Sequence, residues 1–209
     1  MGLMTALRKP VLLTPEEYLA IEETALEKSE FFQGRMYAMS GASFAHNRLT
    51  IRLGGMFDQG LGKSGCSTCG PDMRIYIPAT GLFTYPDLVV VCGEPEFALF
   101  QTGQTLANPL LIVEILSPST EDYDRTVKFD NYQTVESLRE YILVSQSAPK
   151  LRHYSKQPGG QWLLTILGEG NTLNLPALNL SIPVAAIYED IPLSPARRFR
   201  VARKASRAR

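Results

Sequence analysis

The stretch "NPLLIVEILSPS", residues 108–119, is the part of the sequence that decides the fold. Its apolar residues are mostly β-formers, and Asn108-Pro109 and Ser117-Pro118 bound the run. This pattern is typical of a short strand covered on both faces. Glu114 lies in the middle of this run. Because a buried carboxylate without a partner is costly, the position of Glu114 indicates a functional requirement.

Length and composition limit the class of protein. The chain has 209 residues, of which 44% are hydrophobic, and this favours one sizeable core. We expect a single domain over residues 12–190. No stretch approaches the roughly 18 apolar residues of a membrane span. "TPEE" (14–17) comes too early for the apolar region of a signal peptide, so we expect a cytoplasmic protein with no membrane contact.

The net charge of zero hides an asymmetry. We expect residues 191–209 to form a flexible basic tail, since "RRFRVARKASRAR" (197–209) holds seven of the 21 basic residues and no acid. The rest of the chain therefore carries 14 basic and 21 acidic residues. Such a tail either contacts phosphate backbones without sequence preference or is a solvated terminus.

The order of predicted elements indicates an α/β (α+β) fold. Thr14 begins a helix that ends near residue 24, with proline at its first position and glutamate three residues after the cap. The other predicted elements are a hairpin (30–41, turning at Gln33-Gly34), helices (43–61 and 121–136), strands (73–77, 84–91, 110–116 and 140–145) and short C-terminal strands after 150. This order predicts a mixed central sheet flanked by helices, with extra C-terminal antiparallel strands.

A second acid lies beside a core-like strand. In "TYPDLVVVCG" (84–93), Asp87 immediately precedes four apolar residues. Two acids on neighbouring strands predict a shared site for Mg²⁺, with Mn²⁺ as the other candidate ion, because hard cations prefer carboxylate oxygens. The alternative is that Asp87 caps the Tyr85-Pro86 turn and Glu114 pairs with an arginine.

The helix predicted after the Glu114 strand supplies a cation. Asp124, Lys128 and Tyr132 are spaced four apart, which places them on one face of a helix. A lysine close to two carboxylates could offset the charge that develops on a phosphate in a transition state. The alternative is an ordinary surface pair of Asp124 with Lys128, worth about 0.3–0.5 kcal/mol.

These residues carry a resemblance to a known family. "YPD" (85–87) followed by "VEIL" (113–116) resembles the PD-(D/E)xK nuclease superfamily, and "EFFQGRMYAMSGASFAHNRLT", "PLLIVEILSPST", "DRTVKFDNY" and "EYILV" resemble the Uma family of restriction endonucleases. The matching stretches run in the family's order over about residues 12 to 190. The resemblance implies a restriction-endonuclease-like core and Mg²⁺-dependent hydrolysis of phosphodiester bonds in nucleic acid, with DNA as the expected substrate.

The resemblance assigns roles to particular residues. It implies that Asp87 and Glu114 are metal ligands, and it makes Glu30 and His46 further active-site candidates. Glu30 would hold the metal through water, and His46 would orient Glu30 or contact the phosphate, unless it is a satisfied core histidine. The superfamily's lysine lies two residues after the second acid, where this chain has Leu116, and Lys128 fits its role.

The end of the 140–145 strand departs from the family pattern. Relatives tend toward an aromatic-rich strand that ends in Asp-Pro, whereas this chain has Ile142, Ser145 and Gln146. The resemblance therefore assigns no role to this strand end.

Two other classes of function stay open from the sequence. One is a catalytically silent nucleic-acid-binding or regulatory protein on the same fold, since fold does not fix function. The other is a zinc or redox site at "CSTC" (66–69), for which only Cys92, His46 and His153 could supply further ligands. An odd number of cysteines argues against a disulfide framework. A homodimer is possible, but the sequence identifies no interface for it.

Deleting the basic tail tests its contribution to nucleic-acid affinity. Truncation after Ala196 should flatten the slope of log affinity against log salt by up to about 0.9 for each lost phosphate contact on duplex DNA. Fluorescence anisotropy with labelled duplex at several salt concentrations measures this slope. An identical slope and affinity after truncation would show that the tail is a solvated terminus.

Overall fold

The computed structural model describes residues 12–39, 41–100 and 103–193. Most of the predicted basic tail, from residue 194, lies outside these residues. The strands are β1 (Ser29–Phe32), β2 (Arg35–Ala38), β3 (Cys66–Cys69), β4 (Ile75–Ile77), β5 (Leu82–Thr84), β6 (Leu88–Cys92), β7 (Leu111–Leu116), β8 (Glu140–Ser145), β9 (Lys150–Lys156), β10 (Trp162–Gly168), β11 (Thr172–Leu175) and β12 (Leu180–Pro183). The helices are α1 (Pro15–Thr24), α2 (Phe44–Leu61), α3 (Glu121–Tyr123), a π-helical turn (Asp124–Lys128), α4 (Phe129–Tyr132), a 3₁₀ turn (Pro176–Leu178) and α5 (Val184–Tyr188).

A six-stranded mixed sheet forms the centre, in the order β10-β9-β8-β7-β6-β3. Strands β7 and β8 are parallel, with Glu114 opposite Leu143, and the other neighbours are antiparallel. Every residue of β7 is buried, as its apolar run predicts. The sheet separates two cores. One core packs against α2, α5 and the β11–β12 pair, and the other packs against β4, β5 and the segment that contains α4.

Helix α2 begins as the sequence predicts. The Ser43 hydroxyl accepts the backbone N–H of His46 at 3.1 Å, which satisfies one of the free donors of the first turn. Leu49, Leu53 and Phe57 are buried at four-residue spacing, so this face packs on the sheet. Met56, which the sequence places in the stripe, is only partly buried.

The N-terminal elements form a second sheet of four strands, in the order β2-β1-β5-β4. Thr14 and Glu17 form the predicted capping box of α1. The hairpin turns at Gln33 and Gly34, whose φ angles of 51° and 79° are left-handed, a conformation that suits Gly34. The buried rings of Tyr18, Phe31 and Phe83 join α1 to β1 and β5. Strand β1 of this sheet carries Glu30, one of the candidate site residues.

Three parts of the fold differ from the sequence predictions in ways that affect the argument. The predicted strand at 84–91 is two strands, β5 and β6, since Pro86 lacks the N–H needed for a continuous ladder. The predicted helix at 121–136 ends at Tyr132 and contains the π-helical turn. "CSTC" forms β3, in which Cys66 lies opposite Cys92 of β6 and is joined to it by a disulfide.

The expected architecture is otherwise confirmed: a mixed central sheet lies between helices, with antiparallel strands at its C-terminal end. In the described parts of the chain, no helix combines the length and the apolar character that crossing a membrane requires.

Candidate active site

The ammonium group of Lys128 is the centre of the site. Its Nζ is buried and lies 2.8 Å from Glu30 Oε1, 3.0 Å from Glu114 Oε1 and 3.5 Å from Asp124 Oδ1. The three acids come from β1, β7 and the π-helical turn. The Asp124–Lys128 pair is therefore not a surface pair, because both side chains are almost completely buried.

The alternation of β1 explains how Glu30 reaches the site. Successive strand residues point to opposite faces, so Glu30 faces away from the aromatic cluster that holds Phe31. The hydroxyl of Thr84, which is fully buried at the end of β5, donates to Glu30 Oε1. Thr84 is a site residue that sequence reasoning missed, although it lies three residues before Asp87.

The helical segment after β7 brings three side chains to the site. Lys128 and Asp124 are the two ends of the π-helical turn, and the Tyr132 hydroxyl in α4 donates to Glu114 Oε1 at 2.8 Å. The Tyr141 hydroxyl donates to the backbone carbonyl of Asp124 at 2.9 Å, which fixes this turn against β8. π-Helical turns are rare and frequently occur at functional sites.

Asp87 lies between β5 and β6, next to the Glu114 strand. Its Oδ2 accepts the backbone N–H of Ile115 at 2.7 Å, and His46 Nε2 is 3.2 Å from the same oxygen. The alternative to a shared site predicted two contacts that differ from those observed. Asp87 accepts a hydrogen bond from β7 rather than capping its own turn, and Glu114 pairs with Lys128 rather than with an arginine. Within the described chain, His46 contacts Asp87 and not Glu30.

The site holds more carboxyl groups than cations. Burial raises the pKa of the Glu114 carboxyl well above its usual range; Lys128 opposes this rise, while Asp124, Asp87 and Glu30 add to it. Burial by itself lowers the pKa of the Lys128 ammonium, but the three carboxylates around it raise that pKa well above the ordinary value. Burial also raises the pKa of Asp124. Three carboxyl groups thus contact one lysine, and Asp87 is close enough to add to the raised pKa of Glu114, an arrangement that favours a further cation.

The oxygens of Asp87 and Glu114 suit a hard divalent cation. Lys128 and Tyr132 both donate to Oε1 of Glu114, and the partners of Asp87 both contact Oδ2. Among the described residues no donor contacts Glu114 Oε2 or Asp87 Oδ1, so each acid keeps one oxygen available. The described residues contain no group of three or more His, Cys, Asp or Glu side chains that could hold a metal ion by themselves. Magnesium commonly binds through one or two carboxylates and completes its shell with water and substrate phosphate.

Gln146 positions the rim of the site, although the family pattern assigns it no role. Its side-chain amide donates to the carbonyl of Leu116 at 2.9 Å, and its Oε1 accepts the hydroxyl of Ser43 at 2.5 Å. Gln146 therefore ties the end of β7 to the residue that caps α2, the helix that carries His46. No local sequence pattern identifies these contacts, because Ser43 and Leu116 are distant from Gln146 along the chain.

The cysteines do not form the zinc site considered from the sequence. Cys66 and Cys92 are joined in a disulfide, and Cys69 is the free cysteine. The expectation that disulfides are absent is therefore wrong for this pair, because antiparallel pairing places the two residues directly opposite each other. His153 instead contacts Glu140, with Nε2 2.6 Å from Oε2, and His46 contacts Asp87.

A family model described as "Putative restriction endonuclease", Uma2, matches residues 15–185. The chain belongs to the Uma2 family. All five predicted site residues lie within the matched range. The resemblance seen in the sequence motifs is thereby confirmed at the level of the family.

Two relatives and one solved structure extend this result. The Uma2 chain is 40% identical over 159 residues to "Uncharacterized protein sll1609" of Synechocystis sp., an alignment that covers 76% of this chain and 89% of the relative. It is 37% identical over 179 residues to "Uncharacterized protein slr1290" of Synechocystis sp., covering 86% and 93%. Its fold matches the crystal structure of "a putative nuclease belonging to DUF820" from Anabaena variabilis, with a TM-score of 0.69, 15% identity and coverage of 84% and 97%. This likeness confirms the predicted nuclease-type fold.

The raised pKa of Glu114 predicts a pH-dependent stability for this Uma2 protein. The folded state binds a proton at Glu114 above the ordinary pKa of 4.5, where the unfolded chain has released it. This carboxyl therefore lowers stability as the pH rises through the folded-state pKa. In EDTA, the free energy of unfolding of Glu114→Gln minus that of the wild type should become more positive as the pH rises above the ordinary pKa of 4.5.

Urea titrations at a series of pH values measure this difference. Glu136→Gln, at an exposed position after α4, is the matched control. A difference that is flat with pH for Glu114→Gln, or the same trend in both variants, would contradict the electrostatic account.

Proposed function

We propose that this chain is a Mg²⁺-dependent endonuclease that hydrolyses phosphodiester bonds in DNA. The observation that carries the proposal is the 3.0 Å contact between Lys128 Nζ and Glu114 Oε1. Strand β7 has Leu116 where the resemblance expects a lysine, and Lys128 delivers an ammonium group to the same carboxylate from the helical side. Membership of a family described as restriction endonucleases and a nuclease-type fold support the proposal.

Asp87 and Glu114 are the proposed metal ligands. The oxygen of each acid that accepts no hydrogen bond from the described residues and the excess of carboxyl groups over cations support this assignment. When bound, Mg²⁺ would polarise the phosphate and lower the pKa of a coordinated water. His46, at 3.2 Å from Asp87 Oδ2, would hold this carboxylate in place together with the N–H of Ile115.

Lys128 is the proposed electrostatic catalyst. Its ammonium would offset the negative charge that builds on the phosphate oxygens in the transition state. Glu30 and Asp124 position this group, and Thr84 in turn holds Glu30. Because these partners preorganise the ammonium, little reorganisation is required when the charge develops. We expect Glu30 to act mainly through Lys128, which replaces the water-mediated metal role considered from the sequence.

DNA is the proposed substrate for two reasons. The chemistry of a carboxylate pair with a lysine suits a phosphodiester, and the 197–209 segment carries seven basic residues that could contact a phosphate backbone. The remainder of the chain has more acids than bases, so the tail and the metal would supply the positive charge that draws the substrate in. A silent DNA-binding protein would bind without cleaving, and the assay below separates the two.

The shared metal site predicts loss of the same binding event in two variants. Asp87→Asn and Glu114→Gln each keep the size of the side chain but remove a negatively charged ligand. Calorimetric titration of the wild type with Mn²⁺ should show a binding event that both variants lose. Glu136→Gln should titrate like the wild type. An unchanged titration in either site variant would show that the two acids do not share an ion.

Cleavage by the wild type tests the proposed activity directly. Supercoiled and single-stranded DNA should be cut in Mg²⁺ or Mn²⁺ and left intact in EDTA. Lys128→Met should lower the cleavage rate per folded molecule by about 10²-fold or more, the effect of losing a preorganised electrostatic donor. Binding of DNA without cleavage under every metal condition would overturn the proposal in favour of a silent binding protein.

Two further variants separate catalysis from folding. Lys128→Met leaves buried carboxylates without their counter-charge, which costs about 3–5 kcal/mol in comparable sites, so circular dichroism must accompany the assay. Lys128→Arg keeps the charge but moves the donor atoms, so the fraction that circular dichroism shows to be folded should also cleave slowly. Lys150→Met, at an exposed position on β9, should cleave like the wild type. Near wild-type rates for folded Lys128→Met would remove this lysine from the mechanism.

A further inference from the structure

Strand β10 is an unprotected edge of the central sheet. It pairs with β9 over seven residues in continuous register, and it has no second neighbour among the described residues. Its sequence, "WLLTILG", contains no charged residue and no proline. Leu163, Leu164 and Ile166 are 53%, 40% and 53% exposed. Long, flat and apolar edges of this kind pair with other strands unless they are blocked.

The other end of the same sheet shows the usual protection. Strand β3 is only four residues long and consists of two cysteines with a serine and a threonine between them. Short, polar edge strands offer little surface for pairing. The contrast indicates that the apolar character of β10 serves an interaction rather than reflecting the general composition of sheet edges.

The sequence of β10 is complementary to itself. In an antiparallel pair of two β10 strands centred on Thr165, Leu164 lies opposite Ile166 and Leu163 lies opposite Leu167. Trp162 then lies opposite Gly168, so the largest side chain meets the smallest residue. Every cross-strand pair is thus apolar or sterically compatible, which is what a two-fold symmetric contact requires.

We propose that β10 is the interface of a homodimer, in which two copies of this chain join their six-stranded sheets through antiparallel β10 strands centred on Thr165. Alternate residues of each strand stay on the same face of the joined sheet, so the two-fold axis is perpendicular to it. The two Glu114 strands would be separated by seven strand spacings, roughly 34 Å, with both Glu114 side chains on one face. The interface does not depend on the proposed nuclease function.

Charge substitutions on β10 test both the interface and its register. Sedimentation of the full wild-type chain should give twice the mass of one chain. Leu164→Lys combined with Ile166→Lys places lysine opposite lysine at two positions and should give the monomer mass. Leu164→Glu combined with Ile166→Lys places opposite charges at the same two positions and should restore the dimer. Leu26→Lys, at a fully exposed position outside the sheet, should leave the dimer intact.

Cysteine substitutions give a second measurement that does not depend on affinity. Thr165→Cys places the two new thiols directly opposite each other, within the Cα–Cα range of a disulfide, and should give a covalent dimer on mild oxidation. Leu163→Cys is at a comparably exposed position, but its copies lie about 13 Å apart along the strands, so it should not crosslink.

Three outcomes would overturn the proposal. A wild type that stays monomeric at all concentrations would show that the edge is free or is covered by its own chain. A dimer that survives lysine at both 164 and 166 would place the interface elsewhere. Crosslinking by Leu163→Cys and not by Thr165→Cys would exclude the register. None of these results bears on metal binding or DNA cleavage, which are measured separately.

Discussion

The contact of one buried ammonium group with three carboxylates sets the geometry of the site. A charge removed from water must be compensated, and loss of any partner leaves the remaining charges uncompensated in a medium of low dielectric. Lys128 therefore requires Glu30 from the N-terminal sheet, Glu114 from the central sheet and Asp124 from its own turn to be in place together. The ion cluster couples the packing of the four-stranded sheet to that of the six-stranded sheet.

The same cluster holds more carboxyl groups than cations, and this imbalance links structure to chemistry. Burial and neighbouring acids disfavour the charged form of Glu114, which Lys128 offsets only in part. Perturbed carboxyls with a specific charged partner are concentrated at functional sites. A fold selected for stability alone would replace Glu114 with an apolar residue, since its neighbours in β7 are all buried and apolar. The cation proposed to bind there would account for the acid.

Much of this arrangement is encoded locally in the sequence. The apolar run around Glu114 specified a buried strand, the Thr14–Glu17 spacing specified a capped helix, and Gln33-Gly34 specified the turn of the hairpin. The predictions of the strand, the capped helix and the turn succeed because periodicity, caps and turns depend on residues within a few positions of one another. The motif resemblance pointed to Asp87, Glu114 and Lys128, and their roles as metal ligands and catalyst stay predictions.

Only the tertiary structure decided which side chains meet. Thr84 holds Glu30, Gln146 ties the end of β7 to the cap of α2, and His46 contacts Asp87 rather than Glu30. The same holds for the disulfide between Cys66 and Cys92, which depends on the pairing of β3 with β6. The sequence alone indicated most of the elements and pointed to the acids and the lysine, because those signals are local or motif-based. The partners of each polar group were decided by strand register and sheet packing, which join residues far apart in the chain and leave no local pattern.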